Sequence, residues 1–278
     1  MVNRYTTREA VKERAGKISA ADTADDNLID DLIEAVSREI ENYCGRWFYP
    51  TVQTRYYRAT GTAALLVDDL LAVSTLKTDD DGDRTYETTW ATTDYDTRPD
   101  NARNDKPARP YWELAVSPDG NYSFPTGAKG IEVVGTWGYY DERTTPTSLM
   151  AEALDATETA IDVDDGTEFK IGHTILVDSE QMFISGISTN TLTVTRGVND
   201  TTGATHSDDA AIQIYEYPVV SEACLAQCQL AFRLKDAPMA VAGGGEFAET
   251  LSSDKMMGLH PFVRRMLGPL RRPQEVYG

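Results

Sequence analysis

The stretch Asp25–Arg58, DDNLIDDLIEAVSREIENYCGRWFYPTVQTRYYR, contains the change of hydrophobic period that decides the predicted fold. Asp25–Asn27 supply capping groups and negative charge for a helix. Apolar residues then recur at helical spacing until Gly45. After an aromatic cluster closed by a proline, Thr51–Arg58 is rich in β-branched and aromatic residues, which is typical of a strand. An amphipathic helix is therefore followed directly by a β segment.

Further helices are predicted near both ends of the chain. A capped helical stretch begins after Thr7 and ends at Gly16. Pro218 occupies a favourable first-turn position for a helix over Val219–Lys235, which Pro238 stops. We therefore predict an α+β protein whose core is a helical bundle with β-hairpin elements.

The region between these helices contains two groups of predicted strands. The first group follows Thr51–Arg58, at Ala64–Val67, Ala72–Lys77 and Ile131–Trp137. Within it, Asp94–Pro110 is polar and interrupted by prolines, which predicts a long loop. This part of the chain would supply the β-hairpin elements of the core.

The second group of strands lies within residues 147–216. Its spacing predicts a small all-β barrel or sandwich. The chain would then consist of a core over 1–146 and 217–278 and an inserted β-module over 147–216. The strand candidates of the module are Ala160–Val163, Thr174–Val177, Gln181–Ile184, Thr191–Thr195 and Ala211–Tyr215.

The composition is strongly acidic. The chain has 45 Asp and Glu against 26 Lys and Arg, a net charge of −19. This charge argues against a surface that wraps nucleic-acid phosphate, because like charges repel, although DNA could still slide past. At molar salt the Debye length is about 3 Å. Adaptation to a salty cytoplasm and ordinary solubility charge therefore both explain the composition.

Membrane and secretion signals are not apparent in the sequence. It has no run of roughly 18 apolar residues, which a membrane span needs, and its first residues lack a secretory apolar segment. Cys44, Cys224 and Cys228 are too few for a disulfide framework. We expect a protein without membrane association that is made and kept in a cytoplasm.

No catalytic constellation, cofactor or metal is predicted. The chain lacks a phosphate-binding loop, a dinucleotide fingerprint and a nucleophile elbow. His173, His206 and His260 are scattered, and the first two are expected in turns or at the surface. Cys224 and Cys228 suit a helix core better than a metal, since no third ligand lies near them in sequence.

The acidic run Asp79–Asp83 has two interpretations. It resembles the start of a calcium-binding EF-hand loop, but the twelfth position is Trp90 instead of glutamate. The alternative, which we favour, is a solvated turn between two strands.

The C-terminal region is apolar and basic on an acidic chain. We predict a docking peptide whose apolar residues fill a groove of a partner and whose arginines pair with acids. Gly243–Gly245 would be its flexible joint. The alternative is a terminal helix folded onto its own core. The predicted docking residues are Leu259, Pro261, Phe262, Val263, Arg264, Arg265, Met266, Leu267, Pro269, Leu270, Arg271 and Arg272.

The order of these motifs resembles the head-to-tail connector (adaptor) proteins of long-tailed phages and related tailed archaeal viruses. The resemblance covers roughly residues 5–143 and 217–273, whereas 147–216 is similar to a small β-module of tailed-virus structural proteins. The motifs that carry the resemblance are Glu39–Pro50, Thr54–Tyr57, Gly135–Tyr140, the helix from Val219, and Leu267–Arg272, and in the module Leu192–Gly197 and Thr201–His206.

The resemblance implies a structural, non-enzymatic protein of the virion neck, assembled in the host cytoplasm. It implies a homo-oligomeric ring, usually of twelve subunits, that lies below the portal protein and continues the DNA channel. The C-terminal segment would dock on the portal, and the opposite face would receive the next neck or tail-completion protein. Genomic DNA would pass through without sequence-specific binding, and the capsid is a further candidate partner of the β-module.

Two other classes remain open. One is a tail-associated or surface adhesin whose β-module binds a receptor glycan, although the module lies between helical segments. The other is a glycosidase or peptidoglycan hydrolase, although the sequence offers no convergent site.

Overall fold

The chain is mostly β. The computed structural model describes residues 3–16, 18–19, 21–105, 107–120, 122–234, 241–242, 249–250 and 258–272. Within these ranges it has two antiparallel six-stranded sheets, one two-stranded pair and four helices. Its contacts divide it into a larger unit, Met1–Arg46, Glu142–Val198 and Thr202–Gly278, and a smaller unit, Trp47–Asp141 and Asn199–Thr201.

The four helices belong to the larger unit: α1 (Arg8–Gly16), α2 (Asp26–Cys44), α3 (Pro218–Leu234) and α4 (Pro261–Leu267). The helices predicted for α1, α2 and α3 are confirmed. Gly45 ends α2 with a left-handed φ of 65°, a conformation that glycine adopts at little cost. Most of the apolar stripe of α2 is buried, including Ile29, Ile33 and Ile40, whereas Leu28 is exposed. Helix α3 contacts α1, α2 and α4. Pro238, the predicted stop of α3, lies outside the described residues.

The sheet of the larger unit follows the predicted β-module closely. The five predicted strands are confirmed as β8 to β12, and β7 adds an edge strand before residue 147. Isolated bridges Leu149↔Ala211 and Met150↔Val163 place one segment beside both β8 and β12. That 147–216 folds independently stays a prediction. In the order β7-β12-β9-β10-β11-β8, the strands are Glu142–Thr144, Ile212–Glu216, Thr174–Val177, Glu180–Ser188, Thr191–Thr195 and Ala160–Asp162.

A two-stranded pair, β13 (Val241–Ala242) and β14 (Glu249–Thr250), completes the strands of the larger unit. The hydrophobic core of its six-stranded sheet includes Phe169, Met182 and Ile184. The predicted joint Gly243–Gly245 falls outside the described residues.

The smaller unit is a second six-stranded sheet. Its order is β1-β6-β2-β5-β4, and β3 pairs with β2. Buried Leu70, Leu114, Ile131 and Trp137 form the centre of its core. The strands are β1 (Thr51–Thr60), β2 (Ala64–Thr78), β3 (Thr88–Trp90), β4 (Tyr95–Arg98), β5 (Tyr111–Val116) and β6 (Thr126–Trp137).

The predicted core, a helical bundle with β-hairpin elements, is wrong. The reason is clearest in β2, where the predicted strands on either side of Asp68 and Asp69 are one strand of 15 residues. Asp68 accepts a hydrogen bond from Tyr57 Oη at 3.1 Å and pairs with Arg55 Nη1 at 3.1 Å. Partners from β1 therefore stabilise Asp68 at the position where the sequence predicts a break between two strands.

The predicted long loop Asp94–Pro110 is also only partly present. It contains β4, which pairs with β5 from Tyr95↔Val116 to Arg98↔Glu113. Tyr95 is buried in the core of the sheet. These strands enlarge the sheet so that it has a core of its own, independent of the helices.

Candidate docking surface and internal polar clusters

The C-terminal segment Gly258–Arg272 is folded onto helices of its own unit. Its helix α4 is capped by His260, whose Nδ1 accepts from Phe262 N–H at 3.3 Å. The His260 N–H donates to Gln227 Oε1 of α3 at 2.9 Å. At the other end, Arg272 N–H donates to the carbonyl oxygen of Cys44 in α2 at 2.8 Å. Hydrogen bonds donated by backbone N–H groups therefore attach both ends of the segment to α2 and α3.

The apolar residues of this segment divide into two groups. Leu259, Val263, Leu267 and Leu270 are buried, whereas the Phe262 side chain is 58% exposed. In this conformation the buried group is packed within the chain and cannot fill a groove of a partner. Only the exposed part of the predicted docking peptide is accessible.

The accessible part is a basic–aromatic patch, which consists of Pro261, Phe262, Arg264, Arg265, Pro269 and Arg271. All six residues are exposed, while Met266 and Arg272 are half-buried. The guanidinium of Arg271 lies 5.0 Å from the ring centroid of Tyr43. Burial raises the pKa of Glu39, and the charge of nearby Arg264 opposes this rise. The docking role of these residues stays a prediction.

Most other cations of the larger unit near α2 are engaged within the chain. Arg8 Nη2 lies 2.5 Å from Asp30 Oδ2, and Arg4 Nη1 lies 3.0 Å from Asp30 Oδ1. Lys12 pairs with Asp26. The N-terminal segment thus covers much of Asp30, whose side chain is 19% exposed. The hydrogen bond from Arg8 lowers the pKa of Asp30 against the opposing effect of burial.

A second polar cluster lies inside the sheet of the larger unit. Glu180 is fully buried, and Arg196 Nε and Nη2 each donate to its carboxylate at 2.7 Å. His206 Nε2 lies 3.0 Å from the same carboxylate, and its Nδ1 lies 2.7 Å from Asp178 Oδ2. The prediction that His206 has a turn or surface role is wrong. His206 is buried beside Glu180, and together with Arg196 and Asp178 these residues form the Glu180 cluster.

The Glu180 cluster also fixes the surrounding backbone. The N–H groups of Gly197 and Ala204 donate to Glu180 at 3.0 and 2.9 Å. Burial raises the pKa of Glu180, but hydrogen bonds from Arg196, from His206 and from these two amides lower it to about 2. A carboxylate whose lone pairs are all used in this way holds loops together and has no free oxygen for proton transfer.

The sequence motifs of the β-module give a partial signal for this cluster. Leu192–Gly197 and Thr201–His206 contain its arginine, both of its amide donors and its histidine. Glu180 itself has no local signal, because its partners are at least 16 residues away.

The remaining histidine and cysteine candidates are also held within the larger unit. Cys224 and Cys228 are buried, and their Sγ atoms lie 4.0 Å apart. The hydrogen bond between them and burial raise the pKa of Cys228, so its thiol stays protonated. His173 lines a groove of about 260 Å³, and burial lowers its pKa to about 4.

The acidic run forms a turn between β2 and β3, as predicted. Asp79 is buried, and its carboxylate accepts from Gly82 N–H at 2.7 Å and from Arg84 N–H at 2.9 Å. One carboxylate oxygen from each of Asp79, Asp81, Asp83 and Glu87 lies within 4.8 Å of the others. The most buried acid of the four is thus already used by the backbone of the turn.

Among the described residues, no helix combines the length and the apolar character that a bilayer span requires. No protein-family model matches the chain, and neither a curated protein nor a solved structure matches it.

Proposed function

We propose that this chain is a structural virion protein that forms a ring beneath the portal of a tailed virus, joins head to tail and continues the DNA channel. The observation that carries the proposal is the basic–aromatic patch on a chain whose net charge is −19. An exposed arginine cluster beside an exposed phenylalanine is suited to an acidic, partly apolar protein surface.

The distribution of charge supports the DNA-channel part of the proposal. Within the larger unit, Asp30 forms ion pairs with Arg4 and Arg8, and Asp26 forms one with Lys12. Arginines used internally do not contribute to a surface that binds phosphate. An acidic wall repels the DNA backbone and lets it pass without adhesion.

The internal clusters support a structural role over an enzymatic one. Glu180 and Arg196 are paired with each other and with backbone groups, and the free thiols of the two helix cysteines are hydrogen-bonded to each other. These side chains stabilise the fold of the larger unit, and a subunit of an assembly needs such stability. For this reason we retain neither the hydrolase nor the adhesin alternative as the main proposal.

The test is portal binding by surface variants of the patch. Arg265→Glu together with Phe262→Ser should remove the patch and leave the buried residues of α4 in place. We expect this double variant to lose co-purification with the portal protein, while the wild type forms rings on it in negative-stain images.

The matched control is Arg109→Glu, which reverses an equally exposed arginine paired with Asp105 in the smaller unit. It should retain portal binding. Binding of the double variant at the wild-type level would contradict a docking role of the patch. Binding of the wild type to a glycan array instead of the portal would favour the adhesin.

A further inference from the structure

In the smaller unit, β1 and β4 are the two end strands of the sheet, and each forms hydrogen bonds with one neighbouring strand only, as does the short strand β3. β1 pairs with β6, and β4 pairs with β5. The start of β1 is covered, because Val52 N–H donates to the Asn199 carbonyl at 3.3 Å and Gln53 Nε2 donates to Asp200 at 2.7 Å. From residue 54 to residue 60, β1 has no other strand beside it in the described part of the chain.

This edge is longer than the others in the described ranges. β1 has 10 residues, whereas β7 and β8, which end the sheet of the larger unit, have 3 each. A long open edge is a template for strand addition, and proteins protect such an edge with proline, charged side chains, bulges or a short strand. Of these devices β1 has a register shift between Tyr57 and Ala59 and the charge of its arginines. β1 contains no proline, and its Tyr56 is 47% exposed.

The direction of the free amides follows from strand alternation. Val52 N–H points away from β6 towards Asn199, so the N–H groups of Thr54 and Tyr56 point the same way. On β4, Ser117 N–H donates to the Asp94 carbonyl at 2.9 Å. The backbone carbonyl of Asp94 therefore points towards β5. Because backbone groups alternate in direction along a strand, the backbone N–H of Thr97 points to the open side of β4.

The two edges carry opposite charge. β1 has no acidic residue, and its Arg58 is exposed without an ion pair among the described residues. At β4, Asp96 and Asp100 are exposed, while the Arg98 guanidinium is paired with Glu113 at 3.2 Å. Opposite charges across a contact favour association and select its register.

We propose that β1 of one copy pairs with β4 of the next copy, with Arg58 opposite the Asp96 carboxylate. The two surfaces differ, so the contact is head-to-tail, and a head-to-tail contact generates a ring when its rotation closes. The inference rests on the ring of the proposed function and specifies how its subunits meet.

The test is a charge swap between the two edges, with mass measured by light scattering after gel filtration. Arg58→Glu alone and Asp96→Arg alone should shift the wild-type oligomer towards the monomer mass of 30.7 kDa. The double variant, Arg58→Glu with Asp96→Arg, should restore the oligomer. Arg109→Glu is the control and should retain the wild-type mass.

A mixing experiment tests the head-to-tail arrangement. Thr54→Pro removes an outward N–H of β1, and Thr97→Pro removes one of β4, without deleting a bond to the neighbouring strand. Each variant alone should be monomeric, and an equal mixture should stop at dimers, because one intact interface remains. If either proline variant fails to fold by circular dichroism, the charge swap decides.

The outcomes separate this inference from the proposed function. Single charge variants that retain the wild-type mass overturn the edge pairing, and so does a double variant that stays monomeric. If such variants still form rings on the portal, the proposed function stands without the edge pairing. If the wild type is monomeric both alone and with the portal, both proposals fall.

Discussion

Glu180 shows what a single buried carboxylate does in this protein. Its oxygens receive two hydrogen bonds from Arg196, one from His206 and two from backbone amides. Arg196 also donates to the carbonyl oxygens of Asp155, Glu158 and Ala204. Removal of the charge of Glu180 would leave a buried guanidinium without its counter-ion, which is more costly than the loss of an exposed ion pair.

Glu180→Gln should therefore lower the free energy of unfolding by about 3–5 kcal/mol at neutral pH. The folded-state pKa of about 2 is below the ordinary 4.5. The contribution of Glu180 is then fully present above about pH 4.5 and is lost as the pH falls towards 2. Urea unfolding of wild type and variant across this range should show that the difference between them narrows on acidification.

Asp31→Asn, which changes an exposed acid of α2, is the control and should change stability by less than about 0.5 kcal/mol. A difference between wild type and Glu180→Gln that stays constant from pH 7 to about pH 3 would contradict the assigned role of the carboxylate.

At the scale of an element, α4 has two faces with separate roles. Val263 and Leu267 are buried among the helices, whereas Phe262 and Arg265 are exposed. The same short helix therefore contributes to stability through one face and is free to contact a partner through the other. The structure therefore shows the second interpretation of the C-terminal region, a helix folded onto its own core, and a docking role of its exposed face stays a prediction.

Leu267→Ala should lower the free energy of unfolding by about 2–4 kcal/mol, since it opens a cavity at a fully buried site. Phe262→Ala should lower it by less than about 0.5 kcal/mol. Guanidinium unfolding of both variants measures the contrast. Equal losses from the two variants would mean that α4 does not pack as described.

For the whole molecule, charge is the dominant property. A net charge of −19 on each chain repels itself at low ionic strength and would accumulate in a ring of copies. Exposed ion pairs such as Arg98–Glu113 weaken in salt but contribute little to stability. Added salt should therefore stabilise the protein, because it weakens the repulsion among the excess negative charges more than it weakens the ion pairs.

We expect the melting temperature to rise between dilute buffer and about 1 M KCl, where the Debye length falls to about 3 Å. The measurement is differential scanning calorimetry across a salt series. A variant with Asp31→Asn, Asp119→Asn and Asp208→Asn, three exposed acids, should show a smaller slope. A flat or falling curve for the wild type would indicate ordinary solubility charge instead of salt adaptation.

The sequence by itself determined those elements whose signals are local. Helix α2 is specified by its apolar stripe and by Gly45, and β9 and β11 have the predicted boundaries, Thr174–Val177 and Thr191–Thr195. Caps, periodicity and turn residues act over a few neighbours, so a short window of sequence contains the information that they need.

Only the tertiary structure decided those features in which contacts between residues distant in sequence override the secondary-structure preference of a local segment. The sequence predicts two separate strands on either side of Asp68 and Asp69, but Arg55 and Tyr57 from β1 stabilise Asp68 within a continuous β2. Fully buried Glu180 is hidden from any local pattern, because its partners come from other strands and loops. The balance between helices and sheets depends on such contacts across the sequence, and for this reason the predicted helical core gave way to two sheets, each with its own core.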